Sequence, residues 1–455
     1  MDNLNNISHI YFVGIGGIGM SALARYLNEQ GKIVGGYDKV PSALTKQLEL
    51  EGIAIHYEDN YEQVPSAFKQ LGTAQVIYTP AIPGGMVELS RFRESGIPTI
   101  KRAQLLGQIS KNMTCLAVAG THGKTTTSAI LAHILYKSGV KVTAFLGGIL
   151  EGYKTNYLST GTDFMVVEAD EFDRSFMQLS PDVAGITAMD PDHLDIYGDV
   201  AAFEKTFHDF AALVPTGSLF VNEKVALQGT VVGVDSGDYQ AVNVHITDGA
   251  YSFSLKTPQG TTHGWSLCLP GKHNLANAVL AVTLALETSV ALPLLKDALA
   301  TFPGVERRFT YRINTNECVL IDDYAHHPTE IDAVYQAVTE MYPGEEVLAV
   351  FQPHLFSRTR DFLDGFVASL GQFHKVALLD IYPARELPIA GITSALLAQK
   401  IKENISNAAV VEVIEKTAIA SFIKKMNTRI VVMLGAGDIG VEIERLTKNW
   451  AHEKI

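Results

Sequence analysis

The sequence of 455 residues predicts an α/β protein of three domains. A Rossmann-like domain comes first, a P-loop domain with a parallel sheet plus a small antiparallel sheet lies in the middle, and a second Rossmann-like domain ends the chain. Two observations carry this. A pattern of apolar strand, glycine turn and helix occurs three times, near residues 10, 115 and 430. Between these points further strand patterns alternate with helical ones, which is the signature of parallel sheets with helices on their faces.

The first pattern is Ile10-Tyr11-Phe12-Val13 running into Gly14-Ile15-Gly16-Gly17-Ile18-Gly19. Strands are expected next at Ile33–Tyr37 and at Ala74–Thr79. The second pattern is Cys115–Ala119 running into Gly120-Thr121-His122-Gly123-Lys124. Apolar Ile130, Leu131, Ile134 and Leu135 then recur at helical spacing until Gly139. Buried-strand patterns follow at 163–167 and 183–188. The segment from about Gly229 to Leu269 alternates, as in Val242-Asn243-Val244-His245-Ile246, and predicts the small antiparallel sheet. The third pattern is Arg429–Leu434 running into Gly435-Ala436-Gly437-Asp438-Ile439-Gly440. Boundaries near Gly107 and Arg312 give domains of 1–107, 108–312 and 313–455. No period of 20–50 residues recurs, which excludes a solenoid.

Bulk properties narrow the function classes. A formal charge of −13 argues against nucleic acid as the main partner, because phosphate backbones select basic faces. No apolar run approaches the roughly 18 residues of a membrane helix. The start of the chain lacks a basic stretch followed by an apolar core, so no signal peptide is expected and the protein is expected in the cytoplasm, away from membranes. The three cysteines have no metal-ligand spacing and read as free thiols.

The glycine turns carry the chemistry. In Gly14-x-Gly16-x-x-Gly19, glycines let a pyrophosphate approach backbone N–H groups at a helix start, and Asp38 ends the next strand, where a ribose-binding acid is placed in dinucleotide folds. The pattern fits a dinucleotide, any nucleoside diphosphate, or a tight turn without ligand. The copy at Gly435 reads more simply as a turn. The loop Gly120-Thr121-His122-Gly123-Lys124-Thr125-Thr126 is more specific. Its N–H groups would cradle ATP phosphates, Lys124 would reach the β/γ oxygens and Thr125 would face Mg2+. Val118 stands where the general P-loop has its first glycine.

Two acidic clusters, Glu168-Ala169-Asp170-Glu171-Phe172-Asp173 and Asp190-Pro191-Asp192-His193-Leu194-Asp195, fall at the carboxyl ends of predicted strands, where parallel sheets hold ligands. Mg2+ prefers one or two carboxylates with phosphate and water. Glu168 is the expected metal ligand with Thr125, and His193 is a candidate for a second magnesium. A solvated acidic turn is the plain alternative.

These motifs, together with Gly271-Lys272-His273-Asn274-Leu275-Ala276-Asn277, Arg307-Arg308-Phe309, Asp322-Asp323-Tyr324-Ala325-His326-His327-Pro328-Thr329-Glu330 and Gln352-Pro353-His354, resemble the Mur ligases of peptidoglycan synthesis. The resemblance runs in order along nearly the whole chain. It implies ATP and Mg2+ as cofactors, and UDP-N-acetylmuramate and L-alanine as substrates of a monomer or weak homodimer. It implies that Asn277 contacts adenine with His273 and Asn274 beside it, that Arg308 contacts ATP phosphate, and that Asp323 contacts the nucleotide. Gly16, Gly17, Ile18, Gly19, Asp38, Thr79, Pro80, Ala81 and Ile82 are implied to line the uridine diphosphate site. His327, His354 and Arg358 are implied to join Lys124 and His193 at the reacting groups. Two positions depart from the family pattern. Phe207 stands where several relatives carry a modified lysine, and Leu355 replaces a common arginine after His354.

The implied chemistry is direct. A carboxylate does not acylate an amine in water, because its leaving group is oxide. Phosphorylation by the ATP γ-phosphate makes an acyl phosphate that the amine can attack, so the protein's work is positioning and charge neutralisation. A histidine of the 326–327 pair, or His354, is expected to take the amine proton. A recycling ligase that adds a whole peptide to the same sugar would share most motifs. A nicotinamide oxidoreductase would explain Gly14–Gly19 and Asp38 while leaving Lys124 and both acidic clusters without a role.

Overall fold

The structure is a computed structural model that describes residues 6–83, 85–191, 194–247, 249–384, 386–404 and 408–453. The first sheet contains β1 (His9–Val13), β2 (Ile33–Tyr37), β3 (Ala54–His56), β4 (Ala74–Tyr78) and β5 (Thr99–Lys101). Its order is β3-β2-β1-β4-β5, and every pairing is parallel. The order reverses at β1, so the Gly14 loop opens at the switch point, where a ligand crevice forms in such sheets. Ile10 and Phe12 face one apolar layer and Tyr11 and Val13 the other, so both faces are covered.

The second sheet contains β6 (Thr114–Ala119), β7 (Val142–Leu150), β8 (Thr155–Ser159), β9 (Phe164–Ala169), β10 (Val183–Ile186), β11 (Leu219–Asn222), β12 (Thr230–Gly233), β13 (Tyr239–Thr247), β14 (Ala250–Thr257) and β15 (Gly260–Leu267). The order is β15-β14-β13-β12-β11-β10-β6-β9-β7-β8. From β13 through β12, β11, β10, β6 and β9 to β7 the pairings are parallel, and β8 closes the edge antiparallel to β7. The strands expected from 229 to 269 are present. They are hydrogen-bonded onto the central strands, so parallel and antiparallel parts make one mixed sheet.

The third sheet contains β16 (Thr310–Asn314), β17 (Val319–Asp323), β18 (Val347–Phe351), β19 (Lys375–Leu378), β20 (Val410–Val413) and β21 (Ile430–Leu434). Its order is β16-β17-β21-β18-β19-β20. Only β16 is antiparallel to its neighbour.

The chain divides into two compact units. The first holds residues 1–245, 252–267 and 276–303, and so contains the first sheet and most of the second. The second holds residues 246–251, 268–275 and 304–455. No helix among the described residues is long and apolar enough to cross a membrane.

Candidate active site

In the first unit, β6 feeds the second glycine turn and the helix Lys124–Lys137. Gly120 has φ +131° and Gly123 φ +82°, values that favour glycine strongly over any residue with a Cβ. The turn brings Lys124 Nζ within 2.5 Å of Gly120 O and 2.7 Å of Glu171 Oε2. Glu171 is 2% exposed. Burial alone would lower the pKa of Lys124, but the charges of Glu171 and Asp170 outweigh it and hold the ammonium above its ordinary value. Burial likewise raises the pKa of Glu171, and Lys124 opposes that rise. Each group's charge thus opposes the effect of burial on the other.

Glu168 lies on β9, beside β6, with Val118 as its register partner. Its Oε2 accepts from Thr125 Oγ1 at 3.1 Å, and its Oε1 accepts from Ser128 Oγ at 3.1 Å and from the N–H of Gly147 at 2.6 Å. A carboxylate and a hydroxyl therefore meet at the start of a helix, in front of a phosphate-type turn. Both are hard oxygen donors, which is the kind of partial set magnesium completes with phosphate and water. Thr121 Oγ1 accepts from the N–H of Asp190 at 3.1 Å, and His122 Nε2 lies 3.8 Å from Asp190 Oδ2. Thr126 is buried. The side chain of Asn277 rests against Gly123, whose Cβ would lie 2.6 Å from Asn277 Oδ1.

The first glycine loop is in the same unit. Gly14 has φ +84°. A Cβ there would lie 3.0 Å from Ile82 Cδ1 and 3.4 Å from Thr79 Cγ2, so the 79–82 segment flanks the loop. Pro80 and Ala81 are exposed on that segment. Asp38 Oδ2 accepts from the N–H of Gly16 at 2.7 Å. Gly17 precedes the helix Ile18–Glu29 with no side-chain cap, and its carbonyl accepts from Met20 N at 3.0 Å and Ser21 N at 2.9 Å. Arg102 crosses Gly19, where a Cβ would lie 2.5 Å from its Nη1, and its Nη2 donates to Asp170 at 3.2 Å.

In the second unit, His326 and His354 meet edge to face with ring centroids 5.9 Å apart, and His354 stacks on Tyr382 at 5.7 Å. Burial pushes the pKa of His326 down to about 4; the Glu330 carboxylate opposes this, and the charge of Arg358 adds to it. His326 is thus neutral near pH 7. Arg358 is buried. Arg308 lies over the Tyr324 ring at 5.3 Å and 3.9 Å from Glu330. The oxygens of Asp323 accept from Phe309 N at 2.7 Å and Ala325 N at 2.8 Å, and burial raises its pKa to about 6. Asn274 donates to Pro270 O at 2.6 Å, beside His273 at the start of the helix Lys272–Leu286.

Comparison with known proteins places this geometry. The Mur ligase family catalytic domain matches residues 9–114, the Mur ligase middle domain residues 118–285, and the Mur ligase glutamate ligase domain residues 307–437. The chain belongs to the Mur ligase family. A UDP-N-acetylmuramate–L-alanine ligase of Christiangramia forsetii is 52% identical over 100% of both chains. One of Flavobacterium psychrophilum is 52% identical over 98% of this chain and 99% of its own. The crystal structure of UDP-N-acetylmuramate–alanine ligase from Thermotoga maritima superposes with a TM-score of 0.82 at 27% identity, covering 98% of this chain and 99% of that one.

The structure adds detail at several positions of this Mur ligase that the sequence singles out. The ring of His327 is buried against Phe362 at 4.6 Å, and its Nδ1 accepts from Thr329 N at the start of the helix Pro328–Met341. The histidine that meets His354 is His326. Leu355, in place of the common arginine, has φ +69°, a costly backbone for a branched residue. Phe207 is fully buried among Phe176, Phe203 and Phe210, so an aromatic core occupies the modified-lysine position. The third glycine turn is filled by the chain itself: Gln352 Oε1 accepts from Ile439 N at 2.9 Å and Gln352 Nε2 donates to Asp438 at 2.7 Å. His193 lies outside the described residues. Sequence reasoning gave no role to Glu171, Ser128, Gly147 or Arg102. Of these only Glu171 carried a signal, as part of the acidic run.

Proposed function

We propose that the chain joins L-alanine to the lactyl carboxylate of UDP-N-acetylmuramate, consuming ATP through an acyl phosphate and releasing ADP and phosphate. The observation that carries this reading is the placement of Lys124 and Thr125 on one glycine turn, each bonded to an acid from the tip of the neighbouring strand. That arrangement suits two anions that must meet, a triphosphate and a carboxylate. The identity of 52% with alanine-adding ligases over the full chain supports the choice of substrates.

Each residue's part follows from its contacts. The N–H groups of 120–126 bind the ATP phosphates, and Lys124, kept protonated by Glu171, reaches the β/γ oxygens. Thr125 and Glu168 would hold Mg2+, which supplies charge neutralisation between the phosphate in transfer and the attacking carboxylate. Asn277, against Gly123, is assigned to the nucleotide. Gly16 to Gly19, Asp38 and Thr79 to Ile82 are assigned to the uridine diphosphate. Arg102, lying over Gly19, adds a cation beside that diphosphate. We keep the domain limits of 1–107, 108–312 and 313–455, and a cytoplasmic location, as part of this proposal.

Phosphate release tests it. Purified protein with ATP, magnesium and UDP-N-acetylmuramate should turn over on adding L-alanine. Turnover with a murein tripeptide and none with L-alanine would make it a recycling enzyme instead.

A further inference from the structure

Asn156 on β8 has none of its surface exposed, and its amide is used entirely on one helix. Nδ2 donates to Ile18 O at 2.5 Å and to Ser21 Oγ at 2.9 Å, and Oδ1 accepts from Arg25 Nη1. All three partners belong to the helix Ile18–Glu29, which continues the first glycine loop. Arg25 is held from its other side by Glu51 at 2.8 and 2.9 Å. Tyr157 and Tyr26 extend the contact, with ring centroids 6.5 Å apart, and Phe145 packs on Tyr26 at 5.4 Å.

The strand pair beneath is irregular at this point. Phe145 pairs with Tyr157 and Leu150 with Thr155, so the segment 146–149 of β7 stands opposite Asn156 alone. Gly147 lies in that segment and gives its N–H to Glu168 Oε1 at 2.6 Å. One bulge therefore grips the acid of the phosphate site on one strand and, through Asn156 on the other, the helix of the first glycine loop. Bulges re-aim groups in this way beside functional sites.

We propose that Asn156 is a positioning residue that sets the first glycine loop, with its bound sugar nucleotide, at the distance from Glu168 and Lys124 at which carboxylate and γ-phosphate meet. This rests on the reading given under Proposed function. A misplacement of about 1 Å between reacting groups costs on the order of 100-fold in rate, while each substrate's own contacts are untouched. Asn156→Ala should therefore bind UDP-N-acetylmuramate and a nonhydrolysable ATP analogue, each measured alone by calorimetry, within about threefold of wild type, while kcat falls roughly 30- to 100-fold. A folded variant with kcat near wild type would overturn the proposal, as would parallel loss of both binding constants. Ser21→Ala, which removes one of the three contacts, guards against a variant that does not fold. It should show the same split at several-fold size, and unchanged kcat there counts against the proposal. Wild-type turnover with L-alanine, run alongside, tests the function itself, so the two readings fail separately.

Discussion

Lys124 and Glu171 show how much a single buried pair can decide. The ammonium is desolvated, and only the acids around it keep its pKa above the ordinary lysine value. Its charge contributes stability that is complete below the unfolded pKa, near 10.4, and is lost as pH rises through the higher folded value. Replacing Glu171 by Gln removes the largest of the raising influences and leaves the burial. The pKa of Lys124 should then fall below its ordinary value. The expected result is an alkaline limb of the kcat/KM profile shifted to lower pH than in the wild type. A profile that matches wild type would mean that Lys124 does not need Glu171 to stay charged. The same residue marks a limit of sequence reading. Glu171 was visible as an acid at a strand end, but Glu168 lies on β9 and Glu171 just beyond it, and which of them meets Thr125 and which Lys124 is set by the folded turn.

At the scale of elements, β1, β2, β4, β6, β9, β10 and β21 were legible because parallel strands buried on both faces are near-continuous apolar runs. The glycine turns were legible because they require left-handed backbone, as Gly14, Gly120 and Gly123 show. What was not legible is non-local. The bulge in β7 has no sequence signature of its own, yet it places Gly147 against Glu168 across 21 residues. His327 looked equivalent to His326, and only the start of the helix at Pro328 separates them. Gly147 gives the test at this scale. A Cβ there would collide with the Glu168 carboxylate, with 2.7 Å to Oε1. Its backbone is not left-handed, so Gly147→Ala strains the acid more than the strand. The expected outcome is a kcat lower by on the order of 100-fold, from displacement of a charge-stabilising group. Thermal unfolding should show a loss of about 1–3 kcal/mol, the usual cost of overpacking. A variant with normal turnover would show that Glu168 does not need its present place.

For the whole molecule, the location of both glycine loops in one compact unit makes ligand binding readable as stability. A ligand that binds only the folded chain stabilises it by about 2.7 kcal/mol at one hundred times its Kd. For a unit of this size each kcal/mol moves Tm by roughly 2–4 °C. UDP-N-acetylmuramate and a nonhydrolysable ATP analogue with magnesium should each raise the Tm of the first unit by several degrees. Lys124→Ala should abolish the nucleotide shift, because the ammonium that meets the phosphates is gone, and should keep the sugar-nucleotide shift, because the contacts that shape the Gly14 loop run to Asp38, Thr79 and Ile82. Loss of both shifts together would mean that the two loops form a single binding site. Loss of neither would remove Lys124 from ATP binding, and with it the assignment of the second turn to the triphosphate.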